Sequence, residues 1–182
     1  MLLKIVLAGD GAVGKTSLRE RYLGRGFKSN YLATIGADFA IADRKIGEKD
    51  VKFQIWDLAG QPQFSGVRGV YYANCLGSLM VFDVTRPDSL RNLDNWIEEY
   101  WSNNGRGSMP FIVLGNKSDL RDQIPHSIPQ EEIDAFVEGW ITKTESANFK
   151  VSYLETSAKT GLNVDIAFEI LGRTVLEYID SQ

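Results

Sequence analysis

Residues 2–7 form an apolar run broken only by Lys4, which predicts an N-terminal strand buried on both faces. In residues 16–23, Leu18, Tyr22 and Leu23 recur at helical spacing. Residues 24–36 are polar and rich in breakers, so no element is predicted there. A hairpin is expected next, with strands over 37–46 and 51–57 joined by Gly47-Glu48-Lys49-Asp50. In its second strand Val51, Phe53 and Ile55 alternate with Lys52, Gln54 and Trp56, which sets Trp56 on the polar face. Residues 58–70, with three glycines and a proline, read as a second irregular stretch. The pattern then predicts a buried strand over 76–84 and a helix over 87–101 with a stripe of Leu90, Leu93, Ile97 and Tyr100. A strand over 111–114 follows, and a helix over 129–143 with Ile133, Phe136, Val137, Trp140 and Ile141 on one side. A strand over 149–154 and a closing helix over 163–179 complete the chain. This alternation implies an α/β fold: a mainly parallel six-stranded sheet with one antiparallel hairpin and helices on both faces. Ligands in such sheets bind beyond the C-terminal ends of the strands.

Composition narrows the class. One domain is expected over the 182 residues, which are 43% hydrophobic and 24% charged, as in a soluble globular protein. A net charge of −4 argues against nucleic acid as a partner and offers no polybasic membrane patch. The single cysteine, Cys75, excludes an internal disulfide and reads as a small buried residue at a strand start. His126, between Pro125 and Pro129, reads as a solvated loop residue.

The chemistry starts directly after the first strand. Gly9, Gly14, Lys15 and Thr16 occupy the four fixed positions of a phosphate-binding loop. Its glycines let successive N–H groups curl into one concavity, and the next helix starts where a phosphate would sit. Gly11, Ala12, Val13, Gly14 and Ser17 are expected to line the nucleotide with them. Lys15 supplies charge to the outer phosphates, and the Thr16 hydroxyl a ligand for Mg²⁺. A glycine-rich turn without a ligand is the plainer reading, weakened by the strand and helix on either side.

Three later stretches fall on strand ends. In Asp57-Leu58-Ala59-Gly60-Gln61, Asp57 can hold the metal through water and Gly60 can approach the terminal phosphate. Gln61 both donates and accepts, so it can orient an attacking water. In Asn116-Lys117-Ser118-Asp119, the carboxylate of Asp119 can accept from N1–H and the N2 amino group of guanine, and the Lys117 stem can lie over the base. In Glu155-Thr156-Ser157-Ala158-Lys159, the Ala158 N–H can donate to guanine O6, while Thr156 or Ser157 alone would pass for turn residues.

With these motifs in this order, the chain resembles the Ras-superfamily small GTPases over essentially its whole length. It is most similar to the Rab branch through Tyr31-Leu32-Ala33-Thr34-Ile35-Gly36-Ala37-Asp38-Phe39, Tyr71-Tyr72 and Val81-Phe82-Asp83-Val84-Thr85, although its phosphate loop reads more like the Rho branch. The resemblance implies that Thr34 binds Mg²⁺ and senses the γ-phosphate, that Phe27 packs on guanine, and that Asp57 to Gln61 opens the second switch. It also implies that Phe39, Trp56 and Tyr71 meet effector proteins, giving Trp56 a reason to face outward. The catalytic set is then Gln61, Lys15, Thr34 and Gly60; GTP or GDP with Mg²⁺ is bound by the residues above, Asn116, Ser157 and Lys159 included. An exchange factor and a GTPase-activating protein are the further partners implied, and a monomer is expected.

Three departures stand out. Pro62 follows Gln61 where the family mostly carries an acidic residue, which suggests a stiffened Gln61 held away from the phosphates and slow hydrolysis. The stretch between Asp119 and Glu155 is longer than usual. Residues 178–182 hold no cysteine, so a soluble, cytoplasmic chain is expected, reaching membranes only through partners or a missing tail. The leading reading is a GTP-hydrolysing switch with a role of the vesicle-trafficking type. The alternative is a guanine-nucleotide-binding scaffold with little hydrolysis, and a small-molecule kinase fits less well because Asn116 to Asp119 has no place in one.

Overall fold

The apolar pattern turns into elements much as it predicts. The structure is a computed structural model that describes residues 1–28 and 33–182. In chain order it holds β1 (Leu2–Ala8), α1 (Lys15–Tyr22), β2 (Ala37–Ile46), β3 (Lys49–Leu58), a 3-10 turn (Pro62–Phe64), α2 (Ser65–Tyr72) and β4 (Gly77–Asp83). There follow α3 (Pro87–Arg91), α4 (Leu93–Asn103), β5 (Phe111–Asn116), a second 3-10 turn (Ser118–Leu120), α5 (Gln130–Lys143), β6 (Ser152–Glu155) and α6 (Val164–Asp180).

Among the described residues the strands form one sheet in the order β2-β3-β1-β4-β5-β6, antiparallel only between β2 and β3. The six-stranded, mainly parallel α/β sheet is therefore as expected. β1 lies between β3 and β4, so the sheet grows in opposite directions from it, and a crevice opens at its C-terminal end. The loop carrying Gly9 to Gly14 leaves β1 at that point.

Alternate strand residues divide between two cores. Leu3, Ile5 and Leu7 join Leu18 and Tyr22 of α1 and Phe168, Leu171 and Val175 of α6 on one face. Val6 and Ala8 join Tyr72, Ile97, Tyr100, Val137 and Trp140 from α2, α4 and α5 on the other. With both faces covered, β4 is buried along its whole length.

Several expectations need correcting. The hairpin turns on Gly47-Glu48 alone, because Lys49 already pairs with Ile46. A two-residue turn of this kind demands a left-handed residue, and Gly47 supplies it with φ 59°. Residues 58–70 are not irregular throughout: they turn helical from Pro62, whose missing N–H costs nothing at a first helical position. The pattern concealed α2 because Val67 and Val70 face solvent, whereas Arg68 is buried. The helix expected over 87–101 is two helices meeting at Asn92, yet its whole apolar stripe is buried. On α5 Ile141 is 48% exposed, off the buried side formed by Ile133, Val137 and Trp140. The long stretch before β6 is tied down by Trp140, whose Nε1 donates to Asp94 Oδ1 at 2.8 Å. Cys75 is buried and His126 exposed, as expected.

A candidate nucleotide-binding site

The loop after β1 is shaped by backbone that few side chains tolerate. Gly9 (φ 139°), Ala12 (φ 64°) and Gly14 (φ 102°) all lie at positive φ. A Cβ on Gly14 would fall 2.2 Å from Asn116 Nδ2, so only glycine fits there. Gly14 also caps α1, its carbonyl accepting from Leu18 N at 2.9 Å. Lys15 is 6% exposed and donates from Nζ to the carbonyls of Gly9 (2.6 Å) and Asp10 (2.8 Å). Burial draws its ammonium pKa down to about 8, against the opposing pull of Asp57 and Asp10. A polyanion beside it would restore the charged form.

A cavity of about 570 Å³ opens here. Gly11, Ala12, Gly14, Lys15, Thr16, Ser17, Thr34, Gly60 and Gln61 line it at one end, and Phe27, Asn116, Lys117, Asp119, Ala158 and Lys159 also line it. Val13 and Ser157 do not; both are fully buried. Tyr31 and Leu32 of the Rab-like stretch lie outside the described residues.

Three oxygen-bearing side chains converge beside the loop. Thr16 Oγ1 donates to Asp57 Oδ2 at 2.5 Å and lies 3.0 Å from Thr34 Oγ1, itself 3.4 Å from that carboxylate oxygen. Asp57 is fully buried, and its Oδ1 has no hydrogen-bond partner among the described residues. Burial raises its pKa, opposed by the Thr16 hydrogen bond and by Lys15. A buried carboxylate with an unsatisfied oxygen, flanked by hydroxyls, suits a hard divalent cation.

Further along the cavity, the side chains brace one another. Asp119 Oδ1 accepts from Ser157 Oγ at 2.6 Å, which fixes the carboxylate on the cavity wall. Asn116 is nearly fully buried and works chiefly as a tie. Its Nδ2 donates to Val13 O at 2.9 Å, and its Oδ1 accepts from Thr156 Oγ1 (3.2 Å) and the Ala158 N–H (3.3 Å). One side chain thus joins the phosphate loop to the loop after β6. Lys117 sits at φ 65° and pairs with Asp83 Oδ2 at 2.7 Å, leaving its stem on the cavity wall. Phe27 lines the cavity with 43% of its surface still exposed.

Gly60 packs so closely on the phosphate loop that a Cβ there would lie 2.4 Å from Gly11 N. Gln61 follows it into the cavity, its Cγ 3.6 Å from where a Gly11 Cβ would be. Pro62 therefore does not hold Gln61 away, contrary to the sequence-based expectation. It opens the 3-10 turn in which Phe64 N donates to Gln61 O at 3.1 Å, so its fixed φ serves the turn.

Two contributors carried no readable signal. Arg21 donates from Nε to Ala158 O at 2.8 Å and from Nη2 to Lys159 O, holding the loop after β6 against α1. Leu120 lines the cavity next to Asp119. Both follow from long-range packing, which spacing along the chain does not encode. The aromatic trio forms a contiguous surface: Phe39 stacks on Trp56 at 5.0 Å, and Tyr71 lies 5.3 Å from it. Trp56 is half-buried between them rather than exposed, with Lys4 Nζ 5.3 Å from its ring centroid.

The switch-point crevice, the phosphate loop and the ordered loops beyond β3, β5 and β6 define a P-loop GTPase of the small, switch-forming kind. The chain belongs to the Ras family, whose profile matches residues 4–177. It is similar to the Ras-related protein Rab7 of Drosophila melanogaster, with 38% identity over 179 residues, 97% of this chain and 81% of that protein. The Ypt/Rab-type GTPase ypt7 of Schizosaccharomyces pombe is 36% identical over 99% of this chain and 85% of its own length. The GTP-binding protein YPTC5 of Chlamydomonas reinhardtii is 37% identical over 96% of this chain and 82% of its own length. The protein is a Rab-like GTPase that binds guanine nucleotide and hydrolyses GTP, and the scaffold alternative is not favoured.

Proposed function

We propose that this chain is a Rab-type switch acting in vesicle traffic, with GTP and Mg²⁺ seated in the cavity beside Asp57. The observation that carries the reading is the meeting of Thr16, Thr34 and Asp57 at one corner, although they come from three separate elements or loops. Thr16, Thr34 and Asp57 would hold the Mg²⁺, which supplies charge neutralisation to the phosphates. The N–H groups of residues 11–16 and the Lys15 ammonium would receive the phosphates. Asp119, set by Ser157, would read the guanine edge, with Lys117 and Phe27 against the base and the Ala158 N–H shared between Asn116 Oδ1 and O6.

Gln61 orients the attacking water, and its place beside Gly11 supports that role. Gly60 brings its backbone to the terminal phosphate. Thr34 lies just before β2, so its engagement links phosphate state to the stretch leading into the sheet edge. The Phe39, Trp56 and Tyr71 surface is where an effector would read that state. Exchange and activating proteins complete the cycle. Among the described residues no helix is long and apolar enough to cross a membrane.

The test is a single-turnover GTP assay with and without Mg²⁺, together with competition of GTP and ATP for the purified chain. Mg²⁺-dependent hydrolysis with strong preference for GTP is expected. Equal competition by ATP would remove Asp119 from its assigned role.

A further inference from the structure

Arg68 of α2 is an unusual residue to find buried against a neighbouring helix: its side chain is only 6% exposed. Each part of its fork is engaged. Nε and Nη2 donate to the two carboxylate oxygens of Glu99 on α4, both at 2.8 Å. Nη1 donates to the backbone carbonyl of Gln61 at 3.3 Å and reaches that of Ala59 at 3.5 Å. The guanidinium lies 4.1 Å from the ring centroid of Trp96, also on α4. Trp96 in turn donates from Nε1 to Asp10 Oδ1 at 2.8 Å, and Asn92 donates to the other oxygen of Asp10 at 2.8 Å.

We propose that Arg68 is a positioning residue for hydrolysis, clamping the Gln61 backbone to α4 so that its side chain stays over the phosphate end of the cavity. The inference rests on the reading of Gln61 as the residue that orients water. Gln61 has no regular ladder to fix it, since it falls between β3 and the 3-10 turn. Arg68 ties its backbone carbonyl down from the side. The α4 end of the clamp is rigid because Leu93, Ile97 and Tyr100 are fully buried. Through Trp96 and Asp10 the same helix also holds the phosphate loop, so nucleophile and phosphate are referenced to one element. Lysine could not substitute, because one ammonium cannot serve a bidentate carboxylate and two carbonyls in a plane. Misplacement of a reacting group by about 1 Å can cost up to ~100-fold in rate, so a clamp of this kind has a readable effect.

The experiment is a double-mutant cycle on the full chain, with Arg68→Lys and Glu99→Gln each made alone and on a Gln61→Leu background. Single-turnover hydrolysis, affinity for a GTP analogue and amide exchange of residues 59–64 in the GDP-bound form are measured. Each clamp variant should hydrolyse GTP about 5- to 20-fold more slowly while binding the analogue within about twofold of the parent. Amide exchange over 59–64 should rise, and neither variant should slow Gln61→Leu further. Clamp variants whose full effect persists on the Gln61→Leu background would overturn the inference, as would faster exchange with an unchanged rate. Should Arg68→Lys fail to fold, Glu99→Gln carries the same test. A Gln61→Leu protein that hydrolyses GTP at the parental rate would instead overturn the reading of Gln61, and the clamp with it.

Discussion

Ser157 does not touch the cavity, yet its hydroxyl donates to Asp119 Oδ1 at 2.6 Å and so aims a carboxylate on the cavity wall. Asp119→Asn should lose guanine affinity and gain xanthine affinity, because the xanthine 2-oxo group needs a donor where guanine offers one. Ser157→Ala should keep guanine preference but bind GTP about 10-fold more weakly, the effect of releasing one hydrogen bond to a charged group. Nucleotide competition with GTP and XTP measures both; undiminished GTP binding by Asp119→Asn would remove it from the site.

Among the described residues Thr34 meets Thr16 and Asp57 through its hydroxyl. Thr34→Ala is therefore expected to bind GDP normally and to lose GTP-dependent protection of residues 25–37. Hydrogen exchange on the GDP and GTP-analogue forms provides the check. Equal protection of that segment in both forms of the wild type would refute the switch assignment.

The seat of Pro62 at the head of a 3-10 turn reverses the expectation for its replacement. A proline in a compatible position stabilises the local fold by about 0.4–1 kcal/mol through the entropy it removes from alternative conformations. Pro62→Glu should accordingly hydrolyse GTP about 2- to 5-fold more slowly, as Gln61 samples more positions. A faster single-turnover rate would show that the proline restrains catalysis.

Burial pushes the Cys75 thiol up to about 12, against an opposing pull from Lys4. At pH 8 the folded protein should thus hold almost no thiolate, and a disulfide reagent should react only as fast as the chain opens. Denaturant should expose one reactive thiol. The sign of the stability effect follows: the folded thiol stays protonated where the unfolded one ionises. Its contribution is therefore full below the unfolded pKa and declines as pH rises from that value towards 12. Rapid labelling of the native protein at pH 8 would contradict the burial.

By itself the sequence determined the order of the strands, the helices other than α2 and the break at Asn92, the phosphate loop and the loops carrying Asp57, Asp119 and Ala158. Those features are local: apolar period, glycine placement and motif spacing depend on neighbours within a few residues. Tertiary structure decided what each side chain does once distant loops meet. Asn116 reads along the chain as a nucleotide-binding residue, but its amide joins Val13, Thr156 and Ala158, from loops far apart in sequence. Arg68 lies in a stretch that reads as irregular, and only the approach of α4 buries it against Glu99, Trp96 and the Gln61 carbonyl. Pro62 reads as a hindrance and becomes the first residue of a turn. In each case the deciding partner comes from a separate element, and hydrogen bonds and burial between such elements exist only after the sheet has set them side by side.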